Sequence, residues 1–293
     1  MTHTNDTAQR PIGIFDLTSE CTLRCKHCYF YTDISDIPED LAEDEFLHRL
    51  RRTKDAYGIR SAFWIGGEPL LKPDLLRRAM DVFPRNAVAT SGALPIPLDL
   101  DAGLLVSIEG PRDIHDALRG RGAYDTAMEN IKHLPEKSFA LATTLTTLSV
   151  DAISSFPDLV ASTRALGMLV GFHVGRPDDP ARLDNQQRDR AVDTLLELRA
   201  SHPGVLLHSE NALELFRSSH RRDISKRCIY RESAHAFDVH FAIKEPCTFA
   251  ENASCDACGC PVVMIHAAWQ DGDPASGELL HALFPKRQTA SVA

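Results

Sequence analysis

Short apolar runs recur through the first two-thirds of the chain, each followed by a stretch in which apolar residues return every three or four positions. The runs predict strands at Ile12–Leu17, Ala62–Ile65, Ala87–Thr90, Leu104–Ile108, Phe139–Thr147 and Met168–Val174. The helical periods predict helices at about Ala42–Tyr57, Leu75–Val82, Tyr124–Leu134, Ala152–Leu166 and Arg182–Ala200, with Asp151 as the N-cap of the fourth. Strand–helix alternation implies a mainly parallel sheet with right-handed crossovers. The expected fold class is therefore α/β, a partial (β/α)6 TIM-like barrel, in which a ligand lies where the loops after the strands converge. After about Ala200 the alternation fades. The chain reads as a barrel core over 1–205 and a cysteine-rich extension over 206–293, with a peripheral tail from Gln270 and a short helix at Gly277–Leu283.

The loops after the predicted strands hold the unusual residues. Cys21, Cys25 and Cys28 follow the first strand, Gly66-Gly67-Glu68-Pro69 the second, Ser91-Gly92 the third and Glu109-Gly110-Pro111 the fourth. All of them fall on one edge of the expected sheet.

Composition narrows the setting. The 293 residues are 43% hydrophobic and 25% charged, a globular balance, and no apolar run approaches the roughly 18 residues of a membrane span. The polar start, MTHTNDTAQR, lacks the apolar stretch of a secretory signal, so a cytoplasmic location is expected and the thiols are expected to be reduced. The formal net charge of −9 and scattered basic residues disfavour nucleic acid as the principal partner.

Eight cysteines in such a chain invite a search for metal sites. The first three are spaced C-x3-C-x2-C, and three thiolates on one loop can each bind a different iron of a cubane and leave the fourth without a protein ligand. Structural zinc, a disulfide and chance are the bland alternatives. Zinc would want a fourth ligand, and His27, wedged between two candidate ligands, is poorly placed to be it.

The segment CTLRCKHCY resembles the cluster motif of the radical S-adenosylmethionine superfamily, with His27 in the slot where an aromatic residue commonly precedes the third cysteine. Trp64–Pro69, WIGGEP, is similar to that family's GGEP segment. Val106–Pro111 with His115–Gly120 resembles the fourth-strand signature of the subgroup with C-terminal clusters, Glu109 standing where aspartate is more frequent. The three motifs occur in order over about residues 11–175. The resemblance implies a [4Fe-4S] cluster on Cys21, Cys25 and Cys28 whose open iron is chelated by S-adenosylmethionine, and reductive cleavage of that cofactor to a 5′-deoxyadenosyl radical.

It also implies a set of cofactor-binding residues: His27, Tyr29, Gly66, Gly67, Glu68, Pro69, Ser91, Ser107, Arg119 and Thr144. Arg119, or alternatively Arg121, would meet the cofactor's carboxylate. Glu109 and His173 are the candidate catalytic residues, and Thr143, Thr146 and Thr147 candidate cavity-lining ones.

Cys228, Cys247, Cys255, Cys258 and Cys260 place five thiols within 33 residues, which packing does not explain. An auxiliary [4Fe-4S] cluster is expected there, with structural zinc or a reactive thiol pair as the alternatives. The segment is loosely similar to the tails of hopanoid adenosyl-transfer enzymes and to SPASM and twitch extensions.

The expected activity is radical chemistry on a small-molecule substrate, a natural product or lipid, because only about ten residues precede the first strand and leave no room for a peptide-recognition domain. A maturase of a ribosomally made peptide substrate is the first alternative. A noncatalytic iron–sulfur binding or electron-transfer protein is the second. Flavodoxin or ferredoxin is the expected electron donor.

Overall fold

The computed structural model describes residues 10–31, 37–176, 178–250 and 253–287; the polar N-terminal stretch lies almost wholly outside them. In chain order the helices and strands are β1 (Ile12–Asp16), α1 (Glu43–Tyr57), β2 (Ser61–Ile65), α2 (Pro73–Met80), β3 (Arg85–Thr90), β4 (Gly103–Ser107), α3 (Arg112–Arg119), α4 (Ala123–Ile131), β5 (Phe139–Leu145), α5 (Phe156–Thr163), β6 (Met168–Phe172), α6 (Asn185–Ser201), α7 (Glu210–Glu214), α8 (Arg221–Ile224), α9 (Ile229–Glu232), β7 (Ala234–Phe237), α10 (Pro261–Gln270) and α11 (Pro274–Leu283). The strands form one sheet in the order β6-β5-β4-β3-β2-β1-β7, every pairing parallel, and the sheet curls into a half-barrel.

Alternation along the strands separates two environments. On β2, Ala62 and Trp64 are fully buried under the helical layer, while Phe63 and Ile65 line an inner cavity. Under the helices Phe15 stacks on Trp64 and Phe237 at centroid distances of 5.2 and 5.1 Å, with Phe83 at 5.6 Å. The Trp64 indole N–H donates to Asn86 at 2.9 Å, so this aromatic core leaves no indole donor orphaned. Burial of Phe237 contributes about 1.5–3 kcal/mol, and it is this contact that seats β7 beside β1.

β7 is the element the hydrophobic pattern does not announce. Its four residues, AHAF, are too few to show a period, and register comes from pairing Ile12 with Ala234 through Phe15 with Phe237. α3 was likewise absent from the pattern, being only eight residues long with a stripe of His115 and Leu118. Asp151 does not cap a helix. The chain enters α5 through a 3-10 turn, Val150–Ser155, preceded by Ser149. By contrast, α6 opens with a full capping box between Asp184 and Gln187. The tail is not peripheral either: the Arg85 guanidinium donates to the Phe284 carbonyl at 2.7 Å, and a Cβ on Gly103 would lie 2.1 Å from the Leu283 carbonyl oxygen.

Candidate active site

The loop that carries the first three cysteines leaves β1 and stays tied to β2. Leu17 N–H donates to Ile65 at 2.9 Å, Gly67 N–H to Thr18 at 2.8 Å and Glu68 N–H to Glu20 at 2.8 Å. The glycine pair makes this possible. A Cβ on Gly67 would sit 2.0 Å from the Glu20 carbonyl oxygen; Gly66 has φ +121° and would put a Cβ 2.6 Å from that of Thr18. The close approach the glycines allow is thus to the chain's own cysteine loop. Asp40 secures the start of the loop by accepting from Ser19 N–H at 2.7 Å, Lys72 Nζ at 2.5 Å and the Thr18 hydroxyl. On the other side Lys26 N–H donates to Leu118 of α3 at 2.8 Å.

Cys21, Cys25 and Cys28 are half-buried and carry no disulfide. Burial pushes the Cys21 thiol up, and pushes Cys25 up to about 11 against the opposing pull of Arg119, whose Nη1 lies 3.8 Å from its sulfur. Thiolates in this setting need a cation, which an iron–sulfur cluster would supply. Among the described residues no three His, Cys, Asp or Glu side chains are grouped closely enough to hold one metal ion. A cubane, bound by each thiolate through a different iron, requires no such group, so the donor set fits a cluster.

Glu109, fully buried after β4, is the hub of the polar end. It accepts from Arg119 Nε at 3.0 Å and Nη2 at 2.6 Å, from the Thr144 N–H at 2.8 Å and from the Thr143 hydroxyl at 3.1 Å, and it meets His27 Nε2 at 3.1 Å. Burial alone would raise this carboxyl; Arg119, His27 and the Thr144 N–H outweigh it and hold it well below the usual range. Its own N–H donates to His115 Nδ1 at 3.2 Å. Arg119 is therefore the arginine at the site, and Arg121 is exposed. Asp116 explains the rest of the motif by accepting from Gly122 and Tyr124 N–H at 2.8 and 2.9 Å, which turns the chain into α4.

Glu68 is equally buried, with both oxygens taken. Oε1 accepts from Thr90 at 2.8 Å and Leu70 N–H at 3.1 Å, and Oε2 from the Ser91 N–H at 2.8 Å and hydroxyl at 2.5 Å. Pro69 begins the 3-10 turn that Glu68 caps. Ser107 and Tyr29 line the cavity. The Tyr29 hydroxyl lies 3.4 Å from Asp16, a buried carboxylate that accepts from Lys244 Nζ at 2.8 Å; that pair escaped the sequence because its members are 228 positions apart.

His173 stands apart from this group. Its Nε2 meets Asp179 at 2.7 Å, and Val174 rather than His173 lines the cavity. Of the four threonines, Thr143 and Thr144 reach the cavity, whereas Thr146 bonds Ser149 and Thr147 donates to Pro180.

The five later cysteines cross the open side of the half-barrel. Cys228 precedes α9 next to the edge strand β7, and Cys260 begins α10 against the opposite edge strand β6. Phe172 N–H of β6 donates to Gly259 at 2.9 Å, and a Cβ on Gly259 would lie 2.0 Å from the Phe172 carbonyl oxygen. The buried Arg188 of α6 holds the loop by donating to Ala257 at 3.0 Å, Cys258 at 2.5 Å and Phe216. All five thiols line the cavity, and burial raises Cys247 to about 12 and Cys258 to about 11. The enclosed space is about 570 Å³. Its wall is apolar along the strands, from Ile12, Ile14 and Phe63 to Leu105 and Leu169.

Residues 16–160 match the Radical SAM superfamily. The chain is similar to the Fe-coproporphyrin III synthase of Methanosarcina barkeri, with 24% identity over 64% of this chain and 51% of the relative. It is also similar to the pre-heme d1 synthase of Dinoroseobacter shibae, with 28% identity over 64% of this chain and 50% of the relative. It spans about half the length of the curated relatives it matches. In fold it is similar to anSMEcpe with bound AdoMet, at TM-score 0.62 and 15% identity over 82% of this chain and 74% of that one. Streptococcus suis SuiB bound to precursor peptide SuiA gives TM-score 0.62 and 14% identity over 92% and 66%.

Proposed function

This chain belongs to the radical S-adenosylmethionine superfamily and is an enzyme, and we propose that its substrate is a small molecule with an apolar body, held inside the half-barrel. One observation carries the reading: the Glu109–Arg119 pair lines the apolar cavity and, through Arg119 and His27, touches the loop of Cys21, Cys25 and Cys28. Chemistry begun at that loop therefore opens on to the chamber. Cys21, Cys25 and Cys28 would hold a [4Fe-4S] cluster that, once reduced by an electron donor, would supply the one-electron chemistry that cleaves S-adenosylmethionine and starts radical chemistry on the substrate.

The protein's share is placement and shielding. Arg119 offsets the burial cost of the Cys25 thiolate, and Glu109 fixes the Arg119 fork. Glu68 holds Ser91 and the glycine turn against the cysteine loop, and Ser107, Tyr29 and Thr144 offer polar contacts at the cavity's upper end. The apolar wall keeps water from the reacting atoms.

The five later cysteines are proposed to hold an auxiliary [4Fe-4S] cluster over the cavity's open side, on an extension spanning 206–293. The location is proposed to be the cytoplasm and the electron donor a flavodoxin or ferredoxin. The names of the curated relatives, synthases of Fe-coproporphyrin III and pre-heme d1, support a small molecule over a peptide. Anaerobic reconstitution followed by dithionite and S-adenosylmethionine tests the core of the proposal. About eight irons per chain and 5′-deoxyadenosine are expected; iron-loaded protein that forms no 5′-deoxyadenosine would sink it.

A further inference from the structure

The cavity does not end at the polar group beside the cysteine loop. It continues to the amino-terminal end of the strands, where Ile12, Ser61, Arg85 and Ala234 form one row through the pairings of β7, β1, β2 and β3. Trp269, 48% exposed, and the exposed Arg231 of α9 complete a mouth there, far from the chemistry.

The charges on the wall are unevenly matched. The lining carries Arg85, Arg119 and Arg231 but a single carboxylate, Glu109, and that one is committed to Arg119 at the other end. Among the described residues neither Arg85 nor Arg231 takes part in an ion pair with a carboxylate, although Arg231 lies close enough to the Cys228 thiol to pull it down. Arg85 gives Nη1 to the Phe284 carbonyl, which orients the guanidinium and leaves Nε and Nη2 for another acceptor. Lys286, bridged to Arg85 through the backbone, adds a second cation on that side. Arg85 and Arg231 stand on opposite flanks of the mouth. Three strand spacings separate β3 from β7, which is roughly 14 Å along the sheet.

From this distribution we infer that the mouth is a carboxylate subsite: the substrate is an apolar-bodied acid whose carboxylate, or several, seats on Arg231 and Arg85 while its carbon skeleton extends along the strands toward Glu109. A guanidinium fork suits a carboxylate bidentately, and at a partly desolvated mouth such a bond is stronger than a neutral one. Entry with the acid trailing also sends the uncharged part of the molecule toward the radical.

The inference rests on the small-molecule reading above. Its test reads binding rather than turnover. Anaerobically reconstituted protein is titrated with cis-parinaric acid and its methyl ester, and with coproporphyrin III and its tetramethyl ester. Quenching of Trp269 reports occupancy, since the other tryptophan, Trp64, is buried on the far face of the sheet.

In at least one pair the acid should bind about tenfold or more tighter than its ester, and the pair that does so identifies the skeleton. Arg231→Gln or Arg85→Gln should erase most of that preference, and Arg231→Lys should keep part of it, in proteins matched for iron content and unfolding midpoint. Equal binding of acid and ester in both pairs, no binding of any probe, or a preference that survives both glutamine variants would each overturn the subsite. Formation of 5′-deoxyadenosine without any acid present is a separate readout. Its loss alongside intact acid binding would count against the radical reading and not against the subsite.

Discussion

The two cysteine groups are assembled by different routes. Cys21, Cys25 and Cys28 sit on a single loop whose backbone is carried by the β1–β2 ladder, so the order of residues nearly fixes where the sulfurs lie. The five later thiols come from the approach to α9, from a turn, from a 3-10 segment and from the start of α10. They line one cavity, with Gly259 docked on β6 and Arg188 gripping the carbonyls of Ala257 and Cys258. Burial raises Cys21 and Cys25 in the first group and Cys228, Cys247, Cys258 and Cys260 in the second, but in the first a guanidinium approaches a sulfur directly, whereas in the second Arg188 bonds the backbone. Short spacing encodes a site when one loop carries every ligand; otherwise the tertiary fold must do it.

The sharpest way to break this comparison is to empty one group and count. The triple variant Cys21/Cys25/Cys28→Ala should abolish 5′-deoxyadenosine formation and lower iron by about four per chain, with about four retained on the later thiols. Loss of all iron would mean that the second group depends on the first. In the converse variant, Cys247→Ala with Cys258→Ala, uncoupled cleavage of S-adenosylmethionine should persist while the iron count again falls by about four. Failure of cleavage there would show that the two groups are not separable.

What could be read in advance follows the same division. The six strands of the core, the loops after them and the first cysteine group are local features, each written in fewer than ten consecutive residues. β7 was illegible because AHAF carries no period and is held by Phe237 stacking on Phe15, a contact 222 positions apart in sequence. Glu68 could be picked out by its motif, yet its saturation by Thr90, Ser91 and Leu70 depends on how β2 and β3 align. Arg188 offered no signal at all: in the sequence it is one more polar residue in an amphipathic helix.

The two buried arginines sharpen the contrast energetically. Arg119→Met would strand the Glu109 carboxylate in a site with almost no solvent, and breaking a buried pair in this way costs about 3–5 kcal/mol. Pairing it with Glu109→Gln should recover a substantial part of that in urea unfolding. Arg188→Met removes charge-assisted bonds to the carbonyls of Ala257, Cys258 and Phe216, so a smaller loss of about 1.5–3 kcal/mol is expected, with iron lost selectively from the second group. Equal losses for the two arginines, or iron lost from the first group in Arg188→Met, would remove the distinction between them.

The smallest effect belongs to His115, which supports the first region from below. Burial, and then the Arg119 charge, push this imidazole down to about 4, and its Nδ1 accepts the Glu109 N–H in the neutral form. Between the ordinary value of 6.5 and about 4 the unfolded chain binds a proton that the folded chain refuses, so stability must fall as pH drops through that window and is fully present above it. His115→Gln should therefore flatten the dependence of the urea midpoint on pH between 6.5 and 5. At pH 7.5, where only a hydrogen bond is lost, it should cost about 0.5–1.5 kcal/mol. Iron on the later thiols should not change. Parallel pH profiles for the variant and the unaltered protein would mean that this ring titrates as it does in water, and that the support it gives Glu109 is not what holds the upper end of the cavity together.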